Sequence, residues 1–183
     1  MIIGERVRLR GIEREDLPLF VKWLNDPEVI KGLPIFLPLS TADEEHWFDK
    51  LAEIPPEEKP LAIEIKEGDS WRLVGNGSFH NISLNNRCAE VGIIIGDKKV
   101  WGKGYGTETM SMLLKHGFET LNLHRVHLIV YEDNHQAIRA YEKAGFIHEG
   151  RMREDRFYRG RYYDTLIMSF LRTEWQAKGS QEE

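Results

Sequence analysis

Three glycines alternate with other residues in the segment 101–107, at positions 102, 104 and 106. The segment follows an apolar stretch typical of a strand and precedes a helical pattern, which places the glycines at a helix N-terminus. Backbone amides there have no partner inside the helix, and the helix dipole adds partial positive charge. Glycine leaves these amides uncovered, so the segment indicates a phosphate cradle, above all for a pyrophosphate. A tight connection that needs glycine only for its dihedral angles explains the turn alone equally well.

Two other phosphate-binding patterns do not fit this turn. A P-loop needs Gly-Lys followed by Ser or Thr, whereas Lys103 is followed by Gly104. A dinucleotide-binding fold needs G-x-G-x-x-G within repeated βαβ units, and Thr107 occupies the place of the last glycine. The strands before the turn also resemble a meander, so both alternatives are excluded.

Histidine and cysteine offer a second kind of chemistry. The seven histidines are scattered along the chain without the spacing of metal ligands. His124 and His127 are three apart, but an extended strand turns them to opposite faces. No pattern supplies a base for Cys88, which fits a small strand residue better than a nucleophile. We therefore expect no metal site, and a single cysteine allows no intramolecular disulfide.

Composition narrows the class of protein. The 183 residues suit one domain, which we place at 1–175, with a polar, disordered tail at 176–183. The formal net charge of -5 argues against a nucleic-acid partner, which would favour a basic face. No apolar run approaches the roughly 20 residues that span a bilayer, so no membrane association is expected. Together with the lone cysteine, these features predict a cytoplasmic protein.

The elements that position the glycine turn follow from hydrophobic periodicity. Strands are predicted near 6–10, 61–65, 71–81, 89–95, 126–131, 146–153 and 162–171. Helices are predicted near 17–24, 41–51, 110–121 and 134–144. This order predicts a single α/β (α+β) domain with a mixed, mostly antiparallel central sheet flanked by helices.

The glycine turn, together with a second segment, resembles a known family. Gly102-x-Gly104-x-Gly106 after an apolar strand is similar to motif A of the GNAT superfamily of N-acetyltransferases. The stretch 134–146 resembles that family's motif B, N-x-x-A-x-x-x-Y-x-x-x-G-F. The segment 23–29 resembles the branch that contains ribosomal-protein alanine acetyltransferases and spermidine acetyltransferases. One position departs from the pattern, because Trp101 stands where the family usually has Gln or Arg.

The resemblance implies a fold and an activity. The central sheet is expected to splay between its fourth and fifth strands, 89–96 and 126–131, with acetyl-CoA in the opening. Acetyl-CoA would be a cosubstrate whose acetyl group passes directly to a primary amine in a ternary complex. The cofactor-binding residues implied are Ile94, Ile95, Gly96, Trp101, Gly102, Lys103, Gly104, Tyr105, Gly106, Thr107, Asn134 and Tyr141. Backbone near residues 94–96 would pair with the pantetheine arm like an added strand.

Two catalytic residues are implied by the same resemblance. Tyr141 is the candidate acid for the leaving thiolate, since a phenol stays protonated near neutral pH. Its alternative is a core tyrosine with a satisfied hydroxyl. Glu90 is the candidate base, because a carboxylate in an apolar strand is costly unless it is paired or faces a cavity. Its alternative is a structural glutamate. Asn134 either caps its helix, contacts the cofactor, or does both.

The acceptor side is the least determined part. By resemblance, the amine pocket is built from the loop 32–37 and the hairpin 157–164, where Asp164 or Glu154 would hold an ammonium group. A solvated hairpin explains the same residues equally well. A protein N-terminus, a polyamine, an amino sugar and an aminoglycoside all remain open as acceptors. A catalytically silent acetyl-CoA-binding regulatory domain is the alternative function, and a homodimer is possible for this family.

Overall fold

The structure, a computed structural model, describes residues 1–179. Its strands are β1 (Ile2–Ile3), β2 (Val7–Gly11), β3 (Leu61–Glu67), β4 (Ser70–Ser83), β5 (Cys88–Ile95), β6 (Arg125–Tyr131), β7 (Ile147–Tyr158) and β8 (Arg161–Leu171). Its helices are α1 (Leu17–Leu24), α2 (Thr41–Lys50), α3 (Tyr105–Glu119), α4 (His135–Ala144) and α5 (Arg172–Gly179). The predicted order of elements is confirmed, with β1 and α5 added at the ends.

One mixed sheet of eight strands carries the domain, in the order β1-β2-β3-β4-β5-β6-β8-β7. Neighbouring strands are antiparallel except β5 and β6, which are parallel. The parallel pair is joined only from Cys88 to Glu90 on β5, opposite Arg125 to His127 on β6. Beyond those residues the two strands separate, and we call the space between them the gap. The predicted splay between these two strands is therefore confirmed.

Helices cover both faces of the sheet. One apolar cluster packs α3 and α4 against the face that carries Ala89, Val91 and Val126. A second cluster packs α1 against the opposite face, where Ala62 and Leu73 are buried. On β5, Ile93 and Ile95 pack against the first cluster and Ile94 packs against the second. The part of β5 that borders the gap is therefore packed on both faces.

The C-terminal segment differs from its prediction. Residues 176–179, expected to begin a disordered tail, continue helix α5. Trp175 attaches this helix to the core, with its ring centroid 6.0 Å from that of Phe118. Arg172 adds a hydrogen bond to the carbonyl of Phe118 at 2.6 Å, and Lys178 lies over the ring of Phe170. Polar composition hid the helix because long-range contacts of this kind hold it. The rest of the predicted tail, 180–183, lies outside the described residues.

Candidate active site

A cleft of about 940 Å³ opens where β5 and β6 separate. The glycine turn, the start of α4 and the loop after α1 form its other walls. The predicted cofactor residues that line it are Ile94, Ile95, Trp101, Gly102, Gly104, Tyr105, Gly106, Thr107, Asn134 and Tyr141. Glu90 lines it as well, whereas Gly96 and Lys103 do not. One cavity thus brings together both predicted catalytic residues and ten of the predicted cofactor residues.

The glycine turn has the backbone that only glycine adopts readily. Gly102 and Gly104 have φ angles of 74° and 87°, in the left-handed region. Gly104 is the N-cap of α3, so the unpaired amides of the first helical turn border the cleft. Lys103 instead faces away, and its carbonyl accepts a hydrogen bond from Arg6 Nη1 at 3.2 Å. Arg6 also pairs with Glu108 at 2.9 Å, which ties the turn to the N-terminal strand.

Trp101 has a structural role that accounts for its departure from the family pattern. Its indole Nε1 donates a hydrogen bond to the carbonyl of Ile95 at 2.7 Å. The ring packs in the apolar cluster beneath α1. Trp101 therefore fastens the glycine turn to the end of β5. Gln or Arg at this position could reach towards a bound cofactor, whereas the Trp101 side chain supports the backbone of the glycine turn.

The backbone of β5 alternates between β4 and the gap. The amide of Gly96 donates to the carbonyl of Val74 on β4 at 2.8 Å. Hydrogen-bonded pairs alternate along an antiparallel ladder, so Ile94 also turns its backbone groups towards β4. The backbone groups of Ile93 and Ile95 consequently face the gap. Of the three predicted pantetheine partners, only Ile95 lies in the register that faces the gap, and its carbonyl already accepts a hydrogen bond from Trp101. Ile93 shares this register, which no sequence pattern marked.

Glu90 lies at the narrow end of the gap. It belongs to the last residue pair that joins β5 to β6, opposite His127, and it faces His80 on β4. Its carboxylate Oε2 accepts a hydrogen bond from Asn81 Nδ2 at 3.2 Å. The described part of the chain places no Lys or Arg within ion-pair distance of it. Glu90 is therefore a carboxylate without a cationic partner, beside the cleft.

Tyr141 is nearly enclosed on the opposite wall. The residue is 8% exposed, and its ring centroid lies 6.0 Å from that of Phe146. Burial raises the pKa of its hydroxyl to about 12. Within residues 1–179 this hydroxyl has no hydrogen-bond partner, although it borders the cleft. The hydroxyl is not among the fully buried polar atoms that lack a partner, so it is open to the cleft, and the arrangement favours a group that gives its proton to a bound substrate.

Asn134 does two things at the start of α4. Its Oδ1 accepts a hydrogen bond from the amide of Ala137 at 3.2 Å, which caps the helix. Its Nδ2 lies so close to Gly32 that a Cβ there would be 2.6 Å away. The cap therefore also supports the loop after α1, which we call the acceptor loop and define as residues 30–34.

The acceptor half of the cleft differs from its prediction. From the expected segment 32–37, Gly32, Leu33 and Pro34 line the cleft, but residues 157–164 of the last hairpin do not. Asp164 accepts hydrogen bonds from the amide of Glu154 at 2.9 Å and from Arg151 at 2.7 Å. These bonds lower the pKa of Asp164 below its usual value. Neither predicted ammonium partner therefore borders this cavity.

No group of three or more His, Cys, Asp or Glu side chains in residues 1–179 is arranged to hold a metal ion. No helix in this part of the chain has the length and apolar character needed to cross a membrane.

Comparison with known proteins agrees with this geometry. The family model of the acetyltransferase (GNAT) domain matches residues 6–147. An uncharacterized N-acetyltransferase, p20, from Bacillus licheniformis is 31% identical over 173 residues, covering 93% of this chain and 96% of its own. A spermidine N(1)-acetyltransferase from Vibrio cholerae is 30% identical, covering 94% of this chain and 97% of its own. A putative ribosomal N-acetyltransferase from Bacillus subtilis is 34% identical, and this match covers 58% of this chain and 57% of its own.

A solved structure gives the same result in three dimensions. The spermidine N-acetyltransferase from Vibrio cholerae in complex with CoA and spermine superposes with a TM-score of 0.85 at 28% identity. The match covers 94% of this chain and 99% of that one. The fold is thus shared with an acetyltransferase solved in complex with CoA, and the chain belongs to the GNAT family of acetyl-CoA-dependent N-acetyltransferases.

Proposed function

We propose that this cleft binds acetyl-CoA and a primary amine together and transfers the acetyl group directly between them. The observation that carries the proposal is the position of Tyr141 and Glu90. Both border one cavity, the first as a buried phenol without a partner and the second as a carboxylate without a cation. Direct attack needs a base for the amine and an acid for the thiolate, and these are the two groups supplied.

The cofactor end of the cleft is made of backbone. The pyrophosphate would accept hydrogen bonds from amides of the glycine turn and the first turn of α3. The pantetheine arm would lie in the gap along the backbone groups of Ile93 and Ile95, with Asn134 at its other side. An amide of β5 that faces the gap would polarise the thioester carbonyl. Gly96 and Lys103 are left out of this proposed contact set, since neither borders the cleft.

The chemical step balances with these residues alone. The amine loses a proton to Glu90, directly or through water, and its nitrogen forms a bond to the thioester carbon. The carbon–sulfur bond then breaks, and the thiolate takes the proton of the Tyr141 hydroxyl. A pKa of about 12 keeps that proton in place until the thiolate forms. The products are an N-acetylated amine and the free thiol of CoA, and the enzyme is restored when Glu90 releases its proton to water and Tyr141 takes one back from water.

The acceptor class is proposed from the relatives. Spermidine is the first acceptor to test, because two spermidine N(1)-acetyltransferases, from Vibrio cholerae and Escherichia coli, match 94% of the chain. A protein N-terminus comes second, because the ribosomal relative matches a shorter part. Amino sugars and aminoglycosides complete the panel. A homodimer in the cytoplasm stays a prediction, and light scattering of the purified protein tests its oligomeric part.

An amine panel tests the function itself. Acetyl-CoA binding is measured by calorimetry, and free thiol release is followed with spermidine, an alanine-initiated hexapeptide, glucosamine and kanamycin. We expect binding together with thiol release that depends on at least one amine. Binding with no release above hydrolysis for any amine would instead indicate the catalytically silent regulatory domain. Absence of binding would overturn both readings.

A further inference from the structure

Arg156 is a buried cation outside the site described above. It is 6% exposed, whereas its neighbours on β7 from Ile147 to Asp155 are exposed. The guanidinium carbon lies 3.8 Å from the ring centroid of Tyr131 and 4.4 Å from that of Tyr158. Stacking on two aromatic faces fixes the plane of the guanidinium and favours its charge. Burial of Tyr131 itself raises the pKa of its hydroxyl, and the charge of Arg156 acts in the opposite direction.

The same guanidinium reaches the acceptor loop. Its Nη2 donates a hydrogen bond to the carbonyl of Lys31 at 2.5 Å, across 125 positions of sequence. Asp133 lies between the two cations, with its Oδ1 3.8 Å from Arg156 Nη1 and its Oδ2 3.3 Å from Lys31 Nζ. Arg156 therefore joins three parts of the molecule: the last hairpin, the end of β6 and the acceptor loop.

This cluster carries an energetic cost that packing alone does not explain. Both Asp133 oxygens and Arg156 Nη1 are buried without a hydrogen-bond partner among the described residues. A buried ion pair of imperfect geometry contributes little stability, and apolar side chains of similar volume often serve as well. The contact that a hydrocarbon side chain would lose is the one to Lys31. That contact determines where the acceptor loop lies.

The loop position matters because the loop is a wall of the cleft. Gly32 is pressed against Asn134, where a Cβ would be 2.6 Å from Nδ2, and Leu33 and Pro34 border the cavity. Arg156 holds this wall from the hairpin side, and Asn134 holds it from the α4 side. Displacement of the wall would change the acceptor half of the cleft and leave the glycine turn in place.

We propose that Arg156 is a positioning residue for the acceptor amine, acting through the carbonyl of Lys31 to hold the acceptor loop against Asn134. The proposal rests on the proposed function of the cleft. Arg156 itself touches no reacting atom. It determines affinity for the amine, while the backbone cradle determines affinity for acetyl-CoA.

Arg156→Lys tests the proposal with the charge beside Asp133 retained. A lysine cannot stack between two rings and donate to the Lys31 carbonyl with the same planar group. We expect KM for the amine to rise about fivefold or more, with kcat and the Kd of acetyl-CoA within about twofold of wild type. Spermidine and the alanine-initiated hexapeptide serve as probes. The matched control is Arg161→Lys on the same hairpin, where an exposed arginine stacks on Tyr163 and has no contact with the loop.

Gly32→Ala gives a second, independent displacement of the same wall. Its Cβ would lie 2.6 Å from Asn134 Nδ2, so either the loop or this side chain must move. A rise in KM for the amine with an unchanged Kd of acetyl-CoA identifies movement of the loop, and a weaker Kd identifies movement of Asn134. A merely structural role for Arg156 would reduce the active fraction, which lowers kcat and leaves KM unchanged. Unchanged KM in Arg156→Lys, with wild-type turnover intact, would overturn the proposal.

Hydrogen exchange separates failure of this inference from failure of the proposed function. If none of the amines in the panel causes wild type to release thiol, the proposed function fails. The position of the loop can still be measured directly. Amide exchange in residues 30–34 should accelerate about fivefold or more in Arg156→Lys and stay unchanged in Arg161→Lys. Equal exchange in the two variants would sink the positioning role, whatever the activity.

Discussion

The two halves of the cleft are built in different ways. The cofactor half is made of backbone: the left-handed glycines 102 and 104, the first amides of α3 and the gap-facing edge of β5. The acceptor half is made of side chains and a loop held by Arg156 and Asn134. A backbone cradle tolerates changes of side chain around it, because its donors do not depend on them. A wall held by side chains is instead sensitive to single substitutions, which suits the half that chooses the substrate.

Charge separates the two halves further. Near the acceptor half, Asp133 faces Lys31 and Arg156, and Asp164 is bonded to Arg151. Glu90 is the carboxylate lining the cleft that has no cationic partner among residues 1–179. An incoming ammonium group would therefore be attracted to Glu90. The base and the site of initial attraction would then be the same carboxylate.

Tyr141→Phe should have the largest effect, because the transfer of the acetyl group from the cofactor half to the acceptor half needs the proton of Tyr141. We expect kcat to fall about 100-fold or more while the Kd of acetyl-CoA stays within about twofold. Because the pKa of Tyr141 is raised to about 12, the acid form persists as pH rises, and wild type should lose no activity from this group until pH approaches that value. Steady-state rates and calorimetry measure both quantities. A variant that matches wild type at every pH would leave Tyr141 as a core residue.

Glu90→Gln should alter the pH dependence of the acceptor half. We expect the ascending limb of the pH–rate profile to be lost and the neutral-pH rate to fall about tenfold or more. Asn81→Gly is the control, since it removes the hydrogen bond to Glu90 at a position whose φ of 52° suits glycine. The Asn81→Gly variant should keep the ascending limb of the pH–rate profile. A Gln variant with the wild-type profile would exclude Glu90 and direct attention to His80 and His127 beside it.

Gly104→Ala should affect the cofactor half alone. Alanine at a φ of 87° is strained by about 1–2 kcal/mol, so the turn must shift, although its Cβ would meet only Arg6 Nη2, at 3.4 Å. We expect acetyl-CoA binding to weaken about tenfold, measured by calorimetry. Gly68→Ala is the matched control, with a φ of 60° in the β3–β4 turn away from the cleft. Thermal unfolding should show similar losses in both variants. Equal Kd values would mean that the turn serves the fold and not the ligand.

Trp101→Phe should have the smallest effect. Loss of the hydrogen bond to the Ile95 carbonyl is expected to cost about 1 kcal/mol of stability and weaken acetyl-CoA binding about threefold. Trp47→Phe changes the same ring in the same apolar cluster without a hydrogen bond to lose. Chemical denaturation and calorimetry compare the two. If Trp47→Phe weakens binding as much, the indole nitrogen has no part in supporting the turn.

The cofactor half was predictable because its signals are local. A glycine turn after an apolar strand, and an Asn to Gly-Phe segment ending a helix, each lie within about a dozen residues, so periodicity and turn chemistry locate them. The same patterns predicted that Tyr141 lies inside the domain, and the structure buries it there. The direction of the backbone groups of Ile94 and Gly96 depends on the ladder with β4, which no single segment encodes.

The sequence by itself determined the family, the glycine turn and the strand that carries Glu90, since each depends on residues close together in the chain. Tertiary structure alone decided the acceptor half. The contact of Arg156 with Lys31 spans 125 positions, and the pairing of Asp164 with Arg151 depends on the register of β7 against β8. Long-range contacts of this kind have no spacing in the sequence, because folding brings the partners together only after the sheet has formed.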